Sequence, residues 1–414
     1  MSEHINAFPG YEMRKVNIAK DGEPPRWEIQ NWYRGTNVGL GGYVYAEPGI
    51  YVDVALLDAR GMHPTSIREL NCFGEYTKNY NEIVDIRSAI KEKDFEKARH
   101  AMGGKIAKYL IDEKSAKQLS KALKLSQNMV YGFTSATFDN PFRDPRNINN
   151  IVALRGALYM RTLQDEIKEK GFTPIHFKTD SVKIPEANLD IIKFVQDFGL
   201  KYGYVMEHEA TFNRICLING STYVARFETP EKCIEKYGYA PEENQEMGGQ
   251  WTATAAQFQV PYVFKTLFSK KSLTFDDMCE TKSVAKGAIY LDMNEKLPEG
   301  EHNYIFIGRV GQFTPVINGI GGGELVCKRE NGTYAAVQGT LGYRWMESEM
   351  IRALYPDPIS IVDRDYYNKK VDEAVDAINK YGDFEWFVSD DPGIAPWDSP
   401  GPPWDEGPTA YDVR

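Results

Sequence analysis

The sequence of 414 residues contains little cysteine and no long apolar run. Its five cysteines are odd in number and far apart, and none forms a Cys-x-x-Cys pair, which disfavours a zinc site or a disulfide framework. No apolar stretch reaches the roughly eighteen residues of a membrane span, so we expect no membrane partner. The N-terminus has no basic segment followed by an apolar one, unlike a signal peptide. Together these features predict a reducing, cytoplasmic setting.

An excess of positive charge is also missing, since the formal net charge is −10. The charge is unevenly distributed, however. Residues 385–414 hold seven acids and one Arg, whereas residues 87–132 hold eleven Lys and Arg against five Asp and Glu. A local basic surface of this kind suits phosphate binding even in an acidic protein. The alternative is an ordinary solvated helix face.

Hydrophobic periodicity predicts a mixed α/β (α+β) chain. The apolar run 50–57 is predicted to be a strand that ends at Asp58, and residues 173–185 a β-hairpin with its tip at 178–181. The other predicted elements are helices at 81–131 with a break at Gly103-Gly104, at 149–170, at 186–202, within 250–270 and at 364–382, two strands at 204–228 that turn at Asn219-Gly220, and β structure at 286–345. The tail from about residue 389 is predicted to be disordered.

Two acidic residues lie at the ends of predicted strands. Asp58 closes the apolar strand, and Asp180 lies at the tip of the hairpin. Carboxylates on adjacent strand ends can share hard divalent cations such as Mg²⁺. Paired metal ions clamp the attacking and leaving oxygens of phosphoryl transfer, so this pair predicts such chemistry if the two strands are neighbours.

Between these acids lies a predicted helix with one polar, cationic face. Its residues are spaced by four, three, four and three positions, which places them on the same side of a helix. Ammonium groups suit phosphates and an aromatic ring suits a sugar or base, so the face fits a nucleotide. A basic surface helix is the alternative. The residues of this face, called the lysine face below, are Lys117, Lys121, Lys124, Asn128 and Tyr131.

Three segments follow one another along the chain: Asp58-Ala-Arg-Gly-Met-His-Pro64-Thr-Ser-Ile67, Lys124-Leu-Ser-Gln-Asn128-Met-Val-Tyr131-Gly132 and Lys178-Thr-Asp180-Ser181. In this order they resemble the Asp-x-x-Ser-Leu-Tyr-Pro-Ser-Ile, Lys-x-x-x-Asn-Ser-x-Tyr-Gly and Asp-Thr-Asp-Ser motifs of family B DNA polymerases. The resemblance covers about residues 38–228.

The resemblance implies a right-hand polymerase architecture, with an antiparallel palm sheet, helical fingers and a mixed thumb. The implied division is an N-terminal segment and first part of the palm at 1–75, fingers at 76–135, the second part of the palm at 136–245, a thumb assigned by position at 246–388 and a disordered acidic tail at 389–414.

The resemblance also implies roles for single residues. Asp58 and Asp180 would be catalytic and, with the carbonyl of Ala59, would ligate two Mg²⁺ ions, for which Mn²⁺ can substitute. The implied nucleotide-binding residues are Lys124, Asn128, Tyr131, His63, Arg87 and Lys91, and the implied DNA contacts are Gly42 and Tyr223. Arg99 and Lys105 compete with Arg87 and Lys91 for the second pair of triphosphate contacts.

The sequence departs from the family pattern in several places. Lys178 replaces the leading Asp of the third motif, which predicts weaker metal affinity or a lysine directed at phosphate. His63 replaces the Tyr that excludes ribonucleotides, and the segment 220–223 retains only Tyr223 of the Lys-Lys-Arg-Tyr that grips the primer duplex. About forty residues precede the palm strands, so we expect no exonuclease domain in this chain.

The sequence therefore predicts a template-directed DNA polymerase that acts on primer–template DNA and deoxynucleoside triphosphates, of the kind encoded by a phage and active in the host cytoplasm. A separate exonuclease subunit or a sliding clamp is the further partner that the resemblance suggests. Two alternatives stay open. One is a catalytically impaired, polymerase-like scaffold that binds primer–template or a partner subunit, and the other is an RNA-templated or primase-like nucleotidyltransferase.

Overall fold

The computed structural model of the chain describes residues 8–134, 136, 138–140, 150–298, 300–329 and 331–390. The chain divides into two compact units. The first comprises Met1–Gly220 and Arg226–Gly249, and the second comprises Ser221–Ala225 and Gln250–Arg414. None of the helices within the described ranges is both long and apolar enough to cross a bilayer.

The first unit combines strands and helices. Its strands are β1 (Glu12–Asn17), β2 (Trp27–Tyr33), β3 (Thr36–Asn37), β4 (Val44–Ala46), β5 (Gly49–Ala59), β6 (His176–Lys178), β7 (Ser181–Pro185) and β8 (Met206–Asn219). Its helices are α1 (Met62–Glu69), α2 (Thr77–Lys91), α3 (Phe95–His100), α4 (Glu113–Thr134), α5 (Ile151–Glu169), α6 (Leu189–Lys201), α7 (Pro230–Tyr237) and α8 (Glu242–Met247), with 3₁₀ turns at Gly74–Tyr76, Ala101–Gly104 and Ala107–Tyr109.

An antiparallel sheet forms the centre of this unit, with its strands in the order β8-β5-β7-β6-β4. Helix α5 is apolar around most of its circumference, and fourteen of its nineteen residues are buried, as expected of a helix enclosed by a core. Gly156 in this helix allows close packing of α1, because a Cβ there would lie 2.5 Å from the sulfur of Met62.

Helices α2, α3 and α4 form a smaller cluster with its own apolar centre. Buried residues from all three helices and from the connection before α4 meet there. The predicted break in the helical pattern is found in that region, where Met102 and Gly103 both have positive φ values of 50° and 62°. Such values are incompatible with a continuous right-handed helix.

The second unit contains two further antiparallel sheets, in the orders β11-β14-β17 and β13-β12-β15-β16. Strand β9 (Thr222–Phe227) is divided between the units. The remaining strands are β10 (Trp251–Ala253), β11 (Glu280–Ser283), β12 (Ile289–Asp292), β13 (Tyr304–Gly308), β14 (Val310–Val316), β15 (Glu324–Lys328), β16 (Tyr334–Ala336) and β17 (Arg344–Glu347). The remaining helices are α9 (Ala256–Gln259), α10 (Pro261–Phe264), α11 (Ser348–Leu354), α12 (Arg364–Asn379) and α13 (Phe384–Val388), with a short π-helix at Lys265–Ser269 and 3₁₀ turns at Phe275–Met278 and Pro358–Ile361.

Most of the sequence-predicted elements are present. The strand ending near Asp58, the hairpin at 173–185, the helices at 149–170, 186–202 and 364–382, and the β structure at 286–345 are confirmed. The turn between β8 and β9 lies at Gly220-Ser221, one residue later than predicted. Residues 250–270 begin with a strand before the expected helices. The predicted disordered tail lies almost entirely outside the described residues.

Candidate active site

The two faces of the central sheet differ in polarity. Ala55, Leu57 and Ala59 of β5 belong to the same buried apolar cluster as α5 and α6. Side chains alternate along a strand, so the intervening residues of β5 face the opposite side. Residues paired directly across the strands share that side. Val54 and Leu56 are apolar there, whereas the polar residues near the end of the strand are Asp58, Ser181, Lys183 and Glu207.

Asp58 and Asp180 are brought to neighbouring positions. Asp58 pairs with Ser181 in the ladder between β5 and β7, directly after Asp180. The amide of Ala59 donates to the carbonyl of Asp180 at 2.8 Å, which fixes the strand end against the hairpin tip. The condition that the sequence set for a shared metal site, two acids on adjacent strands, is therefore met.

The hairpin tip that carries Asp180 is tight and strained. Thr179 has a φ of 57°, which is rare for a β-branched residue. The amide of Asp180 donates to the carbonyl of Lys178 at 2.7 Å, and the amide of Thr179 donates to the carbonyl of Tyr43 at 2.9 Å. Strain of this kind persists only where the surroundings impose it, and it is concentrated at functional sites.

Gly42 lies against this tip. Its φ is 140°, and a Cβ there would lie 3.0–3.2 Å from three atoms of Thr179. The absence of a side chain therefore permits the close approach of the segment before β4 to the turn. Gly42 was predicted to contact DNA. The structure gives it a supporting position beside Asp180.

Two acids of the polar face, Asp58 and Asp180, have raised pKa values. Burial, and then the carboxylates of Asp180, Glu209 and Glu207, raise the pKa of Asp58 to about 8, against the opposing effect of Lys91. Burial also raises the pKa of Asp180, and Lys124 and Lys183 oppose it. A site with this excess of partly buried carboxyl groups is stabilised by bound cations.

Glu207 lies directly opposite Asp58 and is held by cations. The guanidinium of Arg60 donates to its Oε1 at 2.7 Å, and the Nζ of Lys91 lies 3.7 Å from its Oε2. Arg60 also pairs with Glu92, the residue after α2. Helix α2 thus brings Lys91 to the carboxylates, and the charge of Glu207 acts on Arg87 as well. Arg87 and Lys91 therefore lie near the carboxylate of Glu207.

Arg99, by contrast, makes its contacts elsewhere. It donates to Glu96 and to the carbonyl of Leu110.

A β-bulge in β8 places Glu209 as an extra residue beside the pairs of Leu56 and Leu57. Bulges redirect side chains and are frequent near active sites. Burial raises the pKa of Glu209, and the carboxylates of Glu243, Glu207 and Asp180 raise it further.

A buried lysine and histidine lie in the same sheet. Lys183 is 2% exposed, and its Nζ lies 3.1 Å from Nδ1 of His176, which is fully buried. Nε2 of His176 lies 3.2 Å from the carbonyl of Gly220. This geometry is that of a neutral imidazole accepting from the ammonium and donating to the carbonyl. Burial and Lys183 lower the pKa of His176 to about 3, which is consistent with that neutral form.

The lysine face of α4 is exposed at its three lysines and at Asn128. At its end, the ring of Tyr131 stacks on His63 of α1, with centroids 4.1 Å apart and planes 5° from parallel. The amide of Asn150 donates to the hydroxyl of Tyr131 at 3.0 Å and holds the ring in place. The sequence predicted both rings to line the nucleotide, and the structure brings them together.

Several site residues were not identified as such from sequence, namely Lys183, Arg60 and Glu92. Period-two alternation from Ser181 could have placed Lys183 on the polar face, whereas the long-range contacts of Arg60 had no sequence signal.

Tyr223, predicted from sequence to contact DNA, belongs to the second unit, where its amide donates to the hydroxyl of Thr254 at 3.0 Å.

The donors suited to a divalent cation are the two carboxylates of Asp58 and Asp180 and the carbonyl of Ala59. All are oxygens, as Mg²⁺ prefers, and Mg²⁺ commonly takes its other ligands from water and substrate phosphates. Among the described residues no group of three or more His, Cys, Asp and Glu side chains is placed to hold a metal ion. The oxygen donors of Asp58, Asp180 and Ala59 fit a cation whose remaining ligands come from water and a bound phosphate.

Comparisons with known proteins add a weak structural likeness. No protein-family model and no curated protein matches the sequence. Among solved structures, the chain is similar to the family B DNA polymerase from the hyperthermophilic archaeon Pyrobaculum calidifontis, with a TM-score of 0.43 and 13% identity, over 88% of this chain and 48% of that chain. The chain thus spans about half the length of that polymerase. A likeness this weak establishes neither a shared architecture nor a shared activity.

Proposed function

We propose that this chain is a template-directed DNA polymerase that adds deoxynucleotides to a primer 3′-hydroxyl. One observation carries the proposal. Asp58 and Asp180 lie at neighbouring strand ends on the polar face of an antiparallel sheet, and the charge of Lys124 acts on Asp180. A nucleoside triphosphate with bound metal ions fits between them, because the carboxylates attract the metal ions and the basic helix attracts the phosphates.

The carboxylates position the reacting groups. In this proposal Asp58, Asp180 and the carbonyl of Ala59 would hold two Mg²⁺ ions, or Mn²⁺ in their place. When bound, such ions lower the pKa of the attacking hydroxyl and neutralise charge on the leaving pyrophosphate. The strained turn at Thr179 and the hydrogen bond from Ala59 to Asp180 hold the backbone of Asp180 against the end of β5 before substrate arrives.

The helices supply the nucleotide contacts. Lys124, Arg87 and Lys91 would bind the triphosphate oxygens. The stacked pair of His63 and Tyr131 presents a flat surface to the sugar, and Asn128, exposed one turn before Tyr131, would face the nascent base pair. In the same proposal Gly42 and Tyr223 lie near primer–template DNA, and the first unit corresponds to palm and fingers.

The right-hand arrangement with a thumb at 246–388 belongs to this proposal, as do a cytoplasmic setting, a phage origin and a separate exonuclease or clamp partner.

Lys178 favours a second candidate, an impaired polymerase-like scaffold that binds primer–template without extending it. It stands beside the turn of Asp180, and its charge acts on both His176 and Lys183. A cation in this place weakens the attraction of the site for divalent metal ions.

A primer-extension assay separates these candidates. We expect the wild type to extend a DNA primer on a DNA template with Mg²⁺ or Mn²⁺, and Asp180→Ala to lose at least about 10²-fold in rate, the effect typical of losing a preorganised electrostatic group. Asp197→Ala on the exposed side of α6 is the matched control and should extend normally. The Lys178→Asp variant should reach full rate at a lower Mg²⁺ concentration.

The outcomes differ for each candidate. Wild-type protein that binds primer–template but extends it with neither metal would support the scaffold and refute the polymerase. Extension on RNA templates alone, or synthesis without a primer, would indicate an RNA-templated or primase-like nucleotidyltransferase. Equal rates for wild type and Asp180→Ala would remove the two-carboxylate site from the mechanism.

A further inference from the structure

The four-stranded sheet of the second unit has one apolar face and one aromatic face. Ile289, Leu291 and Leu325 belong to the buried core of the unit. Tyr290 alternates with them on β12 and pairs with Phe306 on β13, so these two rings lie on the other side of the sheet. That side, called the aromatic face below, carries Tyr290, Tyr304, Phe306 and Tyr334, with His302 beside them and the acids Asp292 and Glu324 at the end away from Ile289.

The rings of this face form an organised array. Tyr304 and Tyr334 stack with centroids 3.9 Å apart and planes 9° from parallel, and His302 extends the stack at 5.3 Å from Tyr304. Tyr290 contacts both Phe306 and Tyr334 edge-on at 5.6 Å. Phe306 is 66% exposed, which is unusual for a ring held in a regular sheet.

Cations lie at one end of the aromatic face. Lys328 pairs with Tyr334 across the sheet, and its ammonium lies 5.7 Å from that ring. Arg329 follows it, and Arg309 follows Gly308, the partner of Ile289 at the same end of the sheet. Lys286 belongs there as well, because a Cβ on the next residue, Gly287, would lie 3.1 Å from the carbonyl of Lys328. All four side chains are exposed.

We propose that the aromatic face binds single-stranded nucleic acid. Unpaired bases offer flat faces that stack on exposed rings such as Phe306, and the phosphates that follow them would meet the four cations. A duplex keeps its bases stacked on one another and would use only the cations. This site is formed by the second unit alone and does not depend on the polymerase activity proposed for the first.

Binding of labelled oligothymidylate and oligouridylate of about 12 nucleotides, a length within the range that such surfaces cover, tests the proposal on the full chain by fluorescence anisotropy. Loss of one stacked base should weaken binding about 5- to 150-fold in Phe306→Leu, which keeps an apolar side chain but removes the ring. Phe306→Trp should retain binding. Ile305→Ala is the matched control, because Ile305 is the neighbouring exposed residue on the other face of the strand.

Two further measurements locate the site. Lys328→Ala with Arg329→Ala should reduce the slope of log affinity against log salt by about 1.4, or about 0.7 for each phosphate contact on a single strand. Ultraviolet cross-linking of 5-iodouracil oligonucleotides should attach to the peptide that contains Phe306. Binding of DNA alone or of RNA alone supports the proposal and identifies the ligand.

The proposal is overturned if Phe306→Leu and Ile305→Ala bind single strands equally, if Phe306→Leu weakens the binding of duplex DNA as much as that of single strands, or if neither oligonucleotide binds the wild type. If primer extension fails, the affinities of Phe306→Leu and wild type for single strands can still be compared. The two proposals can therefore fail separately.

Discussion

Replacing Asp58 by Asn should stabilise the metal-free protein. The pKa of Asp58 is raised to about 8 from 3.8 in an unperturbed chain, chiefly by burial and then by Asp180, Glu209 and Glu207. The native state therefore binds this proton more tightly than the unfolded state. The proton on Asp58 stabilises the native state fully below about pH 4, and this stabilisation is lost as the pH rises to about 8. An Asn cannot ionise, so the variant avoids this loss.

The size of the effect follows from the same numbers. One pKa unit corresponds to about 1.4 kcal/mol, which gives an upper bound of about 4 kcal/mol at pH 7. Because several carboxylates share the proton equilibrium, we expect about half of this bound, near 2 kcal/mol. Urea unfolding in EDTA at pH 5, 7 and 9 measures it. The advantage of Asp58→Asn over wild type should grow between pH 5 and 8 and then level off.

Added Mg²⁺ should reverse the order of stability. A ligand that binds only the native state stabilises it by RT ln(1 + [L]/Kd), about 2.7 kcal/mol at one hundred times the Kd, which exceeds the advantage of near 2 kcal/mol expected for Asp58→Asn. Wild type should gain this stabilisation and Asp58→Asn should not. The control is Asp197→Asn on α6, where an exposed substitution should change the free energy of unfolding by less than about 0.5 kcal/mol. Parallel pH profiles for wild type and Asp58→Asn would refute the electrostatic reasoning.

Two further changes test the support of the site. Gly42→Ala should lower the free energy of unfolding by about 1–3 kcal/mol and slow primer extension, because a Cβ meets Thr179 at 3.0–3.2 Å in an unfavourable backbone region. Gly41→Ala, which meets nothing within 4 Å, is its control, and equal effects of both would contradict this account. Lys183→Met should cost about 1–3 kcal/mol in EDTA, since His176 loses the ammonium at 3.1 Å. Mg²⁺ should nevertheless raise its melting temperature more than that of wild type, because a fixed positive charge is gone. Lys193→Met on α6 is the control, and equal Mg²⁺ shifts in Lys183→Met and wild type would count against a role for that charge.

Local sequence signals predicted the central sheet well. The apolar run 50–57 and the hairpin at 173–185 are local patterns, set by residues that are neighbours in the sequence. The pairing of Asp58 with Ser181, by contrast, joins segments more than a hundred residues apart. Motif order indicated that the two acids belong together, but only the ladder supplied the register.

Other features had little local signal. Strands β1 and β2 lie in a polar segment. β1 is largely exposed and β2 is buried only at Asn31 and Tyr33, so burial left little pattern to detect. Lys183 would be taken for a surface charge by composition. Its burial depends on His176, which approaches across the ladder between β6 and β7.

The charge arrangement of the first unit limits which ligands suit it. The sheet supplies acids, and burial together with mutual repulsion makes their carboxylate forms costly without added positive charge. Arg60 and Lys91 compensate Glu207, yet the pKa of Asp58 stays raised in their presence. A simple anion would be repelled by the sheet, and a cation alone would leave the exposed lysine face without a counter-charge. A phosphate ligand that arrives with divalent cations satisfies both surfaces at once, and this is why a metal-bound nucleotide fits better than either component separately.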